Sequence, residues 1–185
     1  MIEDALADGE KQMQKAGEAL QRELAAIRGG RARPSLVDHV KVEYYGSTLP
    51  LNQLATVSAP EARLLAIQPW DRQTLTAIEK AIQKSDLGLN PSNDGHVIRL
   101  AIPPLTEERR KELVRMVHKK VEESRVEVRN VRRDCLEELR RLQRQEHVSE
   151  DDEHRAQERL QKLTDRYIGE VDRLGQDKET ELLEV

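Results

Sequence analysis

The chain has 185 residues, 37% of them hydrophobic and 36% charged, and a net charge of -4. That is polar for a globular protein and typical of long solvent-exposed helices. Its apolar runs are too short to cross a bilayer, its single cysteine excludes an internal disulfide or a cysteine-based zinc cluster, and its acidic start, Met1-Ile2-Glu3-Asp4, is unlike a signal peptide. A cytoplasmic chain is expected. Without phenylalanine, and with only Trp70, Tyr44, Tyr45 and Tyr167 as aromatics, it has too few rings for a base-stacking platform.

Taken in order, Ile2, Leu6, Met13, Leu20, Leu24 and Ile27 recur at helical intervals and predict one long helix that stops at Gly29-Gly30, with Pro34 preventing its resumption. From Ser35 to Ile102 the charge density falls and period two replaces period four. Val40, Val42 and Tyr44 alternate with Lys41, Glu43 and Tyr45 as a half-buried strand, and Gly46-Ser47 makes a turn. Further strands are predicted near Thr48-Leu51, Ala55-Ser58, Leu64-Gln68 and Val97-Ile102, with Asn93-Asp94-Gly95 as the turn before the last. Between Asp71 and Ser85, Leu75, Ile78, Ala81 and Ile82 give a helix capped by Asp71.

Pro103-Pro104 closes this unit, and Thr106-Glu107-Glu108 opens a helix that carries Val114, Val117, Val121, Val128, Val131, Cys135, Leu139 and Leu142 to about Glu146. Ser149 caps a last helix with the stripe Ala156, Leu160, Leu163, Tyr167, Val171, Leu174 and Leu182. No such stripe is buried alone, so the two C-terminal helices need the N-terminal one. The fold expected is α+β: an antiparallel three-helix bundle from residues 1–30 and 105–185, interrupted by a small β/α/β domain over residues 31–104. Two short proline-containing tethers, Gly30-Pro34 and Ile102-Leu105, join them side by side. They predict a hinge at Gly30, Pro34, Pro103 and Pro104.

Arg125, Arg129, Arg132, Arg133, Arg140 and Arg144 fall within a sector about 120° wide on the helix that opens at Thr106, while Glu123, Glu127, Asp134, Glu137 and Glu138 gather on the opposite side. Surface arginines usually pair at i,i+4 with acids on their own face, and segregated signs argue against that here. A row of guanidinium groups suits bidentate phosphate contact. Arg28, Arg31 and Arg33 sit where the first helix ends, and an antiparallel first helix is expected to bring them to the later part of the arginine helix as one patch. A second reading is a coiled-coil module whose arginine face binds acidic protein. An enzyme is the weakest reading. The five histidines show no ligand spacing, Cys135 lies in an apolar stripe, and Gly29-Gly30-Arg31 lacks the end of a phosphate-binding loop. No cofactor or metal is expected.

Six separated blocks, Ile27-Arg28-Gly29-Gly30-Arg31-Ala32, Val42-Glu43-Tyr44-Tyr45-Gly46, Ser85-Asp86-Leu87-Gly88-Leu89-Asn90-Pro91, Pro103 to Lys111, Arg129-Asn130-Val131-Arg132-Arg133-Asp134 and Gln161 to Asp165, resemble the bacterial ribosome recycling factors in order and spacing. The resemblance implies an L-shaped outline often compared with transfer RNA. It implies binding, as a monomer, to the post-termination 70S ribosome, across the A and P sites of its large ribosomal half. It also implies separation of the two halves with elongation factor G and that factor's GTP hydrolysis. Carried over by matching position, Arg129, Arg132 and Arg133 would contact 23S rRNA, and Arg28 and Arg31 match the family's basic end of the first helix. Gly29 departs from the threonine usual in the family, and a glycine there would loosen a helix end by roughly 1 kcal/mol.

Overall fold

The computed structural model describes residues 1–184 and divides into two compact units, Met1–Arg28 with Glu107–Glu184, and Gly29–Thr106. The first unit is three helices: α1 (Ile2–Ala25), α3 (Glu107–Arg144) and α4 (Glu150–Leu183). Between α1 and α3 the chain forms β1 (Lys41–Tyr44), β2 (Ser47–Pro50), β3 (Ala55–Glu61), β4 (Leu64–Pro69), α2 (Leu75–Lys84), β5 (Pro91–Asn93) and β6 (Ile98–Ala101).

The helices pack on a seam of three- and four-residue steps. In α1 the buried positions are Leu6, Gly9, Met13, Ala16, Leu20 and Leu24, with Ile27 just beyond. In α3 they are Leu113, Val117, Val121, Ser124, Val128, Val131, Cys135, Leu139 and Leu142. Such a repeat keeps one side of each helix toward its partners. Side-chain pairs give the directions. Arg125 with Asp172 and His118 with Glu179 make α3 and α4 antiparallel, while Glu3 with Arg159 and Glu10 with Tyr167 make α1 parallel to α4. Lys120 with Glu23 and Cys135 with Ala5 run α1 antiparallel to α3.

Two helix contacts bring glycines close to a facing side chain, and at one of them no Cβ fits without a shift. A Cβ on Gly9 would lie 3.3 Å from the Cys135 Sγ, and one on Gly175 only 2.5 Å from a methyl of Val121. The α4 seam therefore runs through Thr164, Gly175 and Lys178, and the expected Leu163 and Leu174 are only partly buried beside it. On α3, Leu113 likewise takes the buried place expected of Val114. Thr164 satisfies its hydroxyl on the Leu160 carbonyl, as a threonine in a helix interior does.

The helix ends follow local chemistry. Ser149 accepts the Asp152 amide at 3.1 Å and four acids fill the first turn of α4. α3 closes with Glu146 in the left-handed region, φ 59°, while the His147 amide reaches the Leu142 carbonyl. The end of α1 differs from expectation. The helix stops at Ala25, and neither Gly29 nor Gly30 adopts a positive φ. The Ile27 amide turns back to Leu24 in a tight last turn that buries the isoleucine. Gly29 thus lies outside the helix it was expected to loosen. Gly30 has a different reason: its Cβ would stand 3.1 Å from the Leu105 amide nitrogen.

The second unit holds an antiparallel hairpin, β1-β2, and an antiparallel four-stranded sheet in the order β3-β4-β6-β5. Its fully buried core is aliphatic, with Val42, Leu51, Leu65, Ile67, Ile78, Ile82, Ile98 and Leu100 at its centre. Asp71 caps the short turn of helix, Arg72–Thr74, that leads into α2. β5 is a three-residue edge strand beginning at Pro91, too short and too polar to announce itself in the sequence. The β1-β2 turn is Tyr45-Gly46, both at positive φ, and Ser47 already belongs to β2. Tyr45 at φ 46° occupies a conformation that costs a non-glycine residue about 1–2 kcal/mol.

The Gly175 contact sets a test. Gly175→Ala gains about 1 kcal/mol of helix propensity but overpacks the seam against a branched, stiff neighbour, at a cost of about 1–3 kcal/mol. Chemical denaturation should show net destabilisation, and Val121→Ala in the same chain should recover much of it; additive losses would show that the two do not touch.

Candidate nucleic-acid interface

The seam fixes how α3 is rotated, and so which of its arginines meet solvent. Arg125 does not stand free. Its Nε donates to the Asp172 Oδ1 at 2.7 Å and its Nη1 to the Glu122 Oε2 at 2.9 Å, tying α3 to α4. Hydrogen bonds with Glu122, then Asp172, hold its pKa above the ordinary guanidinium value, and Arg125 in turn holds the Glu122 carboxyl below its own. Glu122 lies on the same face as the arginines, so the separation of signs is less complete than the wheel suggests. Arg141 is the converse, an arginine on the acidic side that pairs with Glu138 and Gln145.

The three arginines of the Arg-Asn-Val-Arg-Arg block are held differently. Arg129 is 58% exposed and touches Glu122 only at 3.5 Å. Arg132 Nε donates to the Gln161 Oε1 at 3.0 Å, and Gln161 is itself held by Asp165 at 2.9 Å. A neutral carboxamide thus orients Arg132 without cancelling its charge. Arg133, Arg140 and Arg144 are exposed and make no hydrogen bond or ion pair among the described residues. Arg115 belongs with them: at about 100° per residue it shares with Arg133, Arg140 and Arg144 a strip roughly 40° wide. Arg115 lies about two turns into α3, well before the arginines grouped by sequence.

Arg28 does not join this row. Because α1 runs antiparallel to α3 with Glu23 beside Lys120, its C-terminal end lies near the beginning of α3, away from residues 129–144. The expected single patch is therefore corrected: Arg28 is exposed on the first unit far from the block, and Arg31 lies in the second unit. The later part of α3 is lined instead by the acidic start of α1, where Asp4 and Asp8 stand over a groove with Asp134, Glu138 and Cys135. Burial, Asp8 and Glu138 push the Cys135 thiol up from its usual pKa, which keeps it a protonated core group. Among the described residues no histidine, cysteine and carboxylate cluster is arranged to hold a metal ion, and no helix is long and apolar enough to cross a membrane.

What remains is a long helix with one strip of guanidinium groups that have no partner among the described residues, a chemistry suited to phosphate geometry more than to base identity. The family model for ribosome recycling factors matches residues 20–183. The chain belongs to the ribosome recycling factor family. Ribosome-recycling factors of Thermomicrobium roseum and Chloroflexus aurantiacus are 57% and 56% identical to it, each over the whole of both chains. A solution structure of a ribosome recycling factor is 51% identical with a TM-score of 0.77, covering all of this chain and 98% of its own. A second, also 51% identical and covering both chains fully at a TM-score of 0.65, is the Thermus thermophilus factor, described with E. coli elongation factor G bound to the E. coli post-termination complex. Membership in this family makes the chain a non-enzymatic translation factor.

The division of labour among the arginines is measurable. Arg125→Ala should lower the stability of the bundle by about 1 kcal/mol, the upper range for a surface ion pair, whereas Arg133→Ala should leave the denaturation midpoint unchanged. Equal effects would mean that the two side chains are held alike.

Proposed function

We propose that the chain acts in the cytoplasm as a monomer, docks on the post-termination 70S ribosome and, with elongation factor G and GTP, splits it into subunits. The observation that carries this reading is the likeness over its full length to recycling factors, one of them described on a post-termination complex beside that elongation factor. Arg129, Arg132 and Arg133 are assigned to 23S rRNA. Their support is the geometry of α3, where Arg133 is unpaired, Arg132 is oriented by a neutral partner, and Arg129 is only loosely held. Arg28 and Arg31 are assigned to the same role at a separate place, as a second contact and not as part of the first.

No covalent step is involved. Phosphates displace the weak Glu122 contact of Arg129, since exposed pairs contribute little, and binding releases counterions from the RNA. The helices supply stiffness, and Gly30, Pro103 and Pro104 act as the bending points of the hinge, with Pro34 stiffening the segment behind Gly30. Proline fixes its own φ, so such a hinge bends at few torsions.

Each of Arg132→Ala and Arg133→Ala should weaken binding to isolated large subunits and reduce the salt slope by about 1, as the loss of one phosphate contact does. Unchanged slopes for both would remove these residues from the interface. Deleting two residues from Ile102–Leu105 should leave large-subunit binding near normal while abolishing splitting read by light scattering. Equal loss of both activities would mean that the segment only holds the fold together.

A further inference from the structure

Three basic side chains of α3 reach across to α4 at intervals of seven residues, the step that returns a side chain to the same flank of a packed helix. His118 meets Glu179 at 3.1 Å, Arg125 meets Asp172 at 2.7 Å, and Arg132 comes next. On α4 the same step runs from Glu179 through Asp172 to Asp165. The repeat thus offers Asp165 to Arg132 as the third contact of the series. That ion pair is not made among the described residues. The Arg132 Nε donates instead to the Gln161 Oε1 at 3.0 Å, and the Gln161 Nε2 donates to the Asp165 Oδ1 at 2.9 Å. Gln161, one turn before Asp165, takes the arginine on one end of its carboxamide and the acid on the other.

Chemistry allows only one orientation of that amide. A guanidinium has no acceptor and a carboxylate no donor, so the oxygen must face Arg132 and the NH2 must face Asp165. Asp165 thereby locks the side chain that keeps it from the arginine. The outcome differs in kind from Arg125, whose charge two carboxylates answer. Arg132 spends its Nε on a neutral group. Its two terminal nitrogens, without a partner among the described residues, form the fork that phosphate accepts in a bidentate contact. Stability gives little reason for this arrangement. Gln161 is exposed, alanine there is the better helix former, and losing the carboxamide would open the way to an ion pair.

We propose that Gln161 is a positioning residue that keeps Arg132 out of an ion pair with Asp165 and so available to a phosphate of 23S rRNA. The inference rests on the recycling reading above and adds to it a residue on a second helix, one that acts through the arginine without touching the RNA.

The test uses full-length variants and isolated large subunits. Gln161→Ala should bind about threefold or more weakly than wild type, with the salt slope reduced by about 1 as in Arg132→Ala, while its denaturation midpoint stays at or above that of wild type. Gln161→Ala/Asp165→Asn should recover binding to within about twofold of wild type, because the arginine then has no carboxylate to fall on. That recovery must exceed the gain from Asp165→Asn alone, since removing any acid favours phosphate. Gln161→Glu should lose binding as Gln161→Ala does, and Asp165→Asn should not rescue it, because the neutralising carboxylate is then at position 161 itself. In crystals of the Gln161→Ala chain the Arg132 guanidinium should lie within ion-pair distance of Asp165. A guanidinium that stays clear of Asp165 would overturn the inference. So would wild-type binding by Gln161→Ala where Arg132→Ala is impaired, or a double variant as weak as the single one. Should Arg132→Ala bind and respond to salt as wild type does, the assignment of Arg132 to rRNA would fall instead.

Discussion

Everything on the first unit depends on one packing constraint, the close approach of α4 to α3 at Gly175 and Val121 and of α1 to α3 at Gly9 and Cys135. A helix carries its charges wherever its buried side leaves them. Because the Val121 methyl fits only where α4 has no side chain, and the Cys135 thiol sits tightly against Gly9, rotation and sliding of α3 are both limited. The exposed arginine strip is thus a consequence of the seam. If α3 turned by one residue, about 100°, Arg133 and Arg140 would move toward a neighbouring helix and acids would take their place.

The charge pattern then separates structural from available arginines. Arg125, Arg141 and Arg159 face carboxylates within hydrogen-bond reach and stitch turns or helices together. Those farther out on α3 meet only solvent. The chain as a whole is acidic, so phosphate is repelled from much of the surface, including the Asp4, Asp8, Asp134 and Glu138 groove, and attracted along one strip. For a net-negative protein this arrangement confines positive potential to one strip of the surface.

Much of the architecture could be read in the residues because helices and strands impose different periods. Caps such as Ser149 and Asp71 were equally legible, being local hydrogen-bonding chemistry. What escaped had causes beyond local pattern. The seam passes through Thr164, Gly175 and Lys178, where the tolerated side chain is set by a helix distant in sequence. α1 ends at Ala25 because Ile27 must be buried, which outweighs the appeal of a glycine cap. Arg28 departs from the expected patch for a simpler reason. In an antiparallel pair the end of one helix meets the beginning of the other, so adjacency in charge along the chain did not become adjacency in space.

The second unit limits where the proposed hinge can bend. The Ala32 amide donates to the Ala62 carbonyl at 2.7 Å, and the Ile102 amide to the Arg63 carbonyl at 2.8 Å. Both chain crossings are therefore pinned to neighbouring residues of the single β3-β4 turn, with Ala32 and Ile102 themselves buried in the aliphatic core. Pro34 lies inside the pinned region, at the start of a short helical turn closed by the Val37 amide on the Pro34 carbonyl. The backbone torsions outside these pinned residues are those of Gly29 to Arg31 and of Pro103 to Thr106. On the second of these, two prolines remove two φ rotations. On the first, Gly30 lies so near the Leu105 amide that a methyl would crowd it. Two segments constrained in this way each keep few free torsions, a consequence of local packing and proline chemistry.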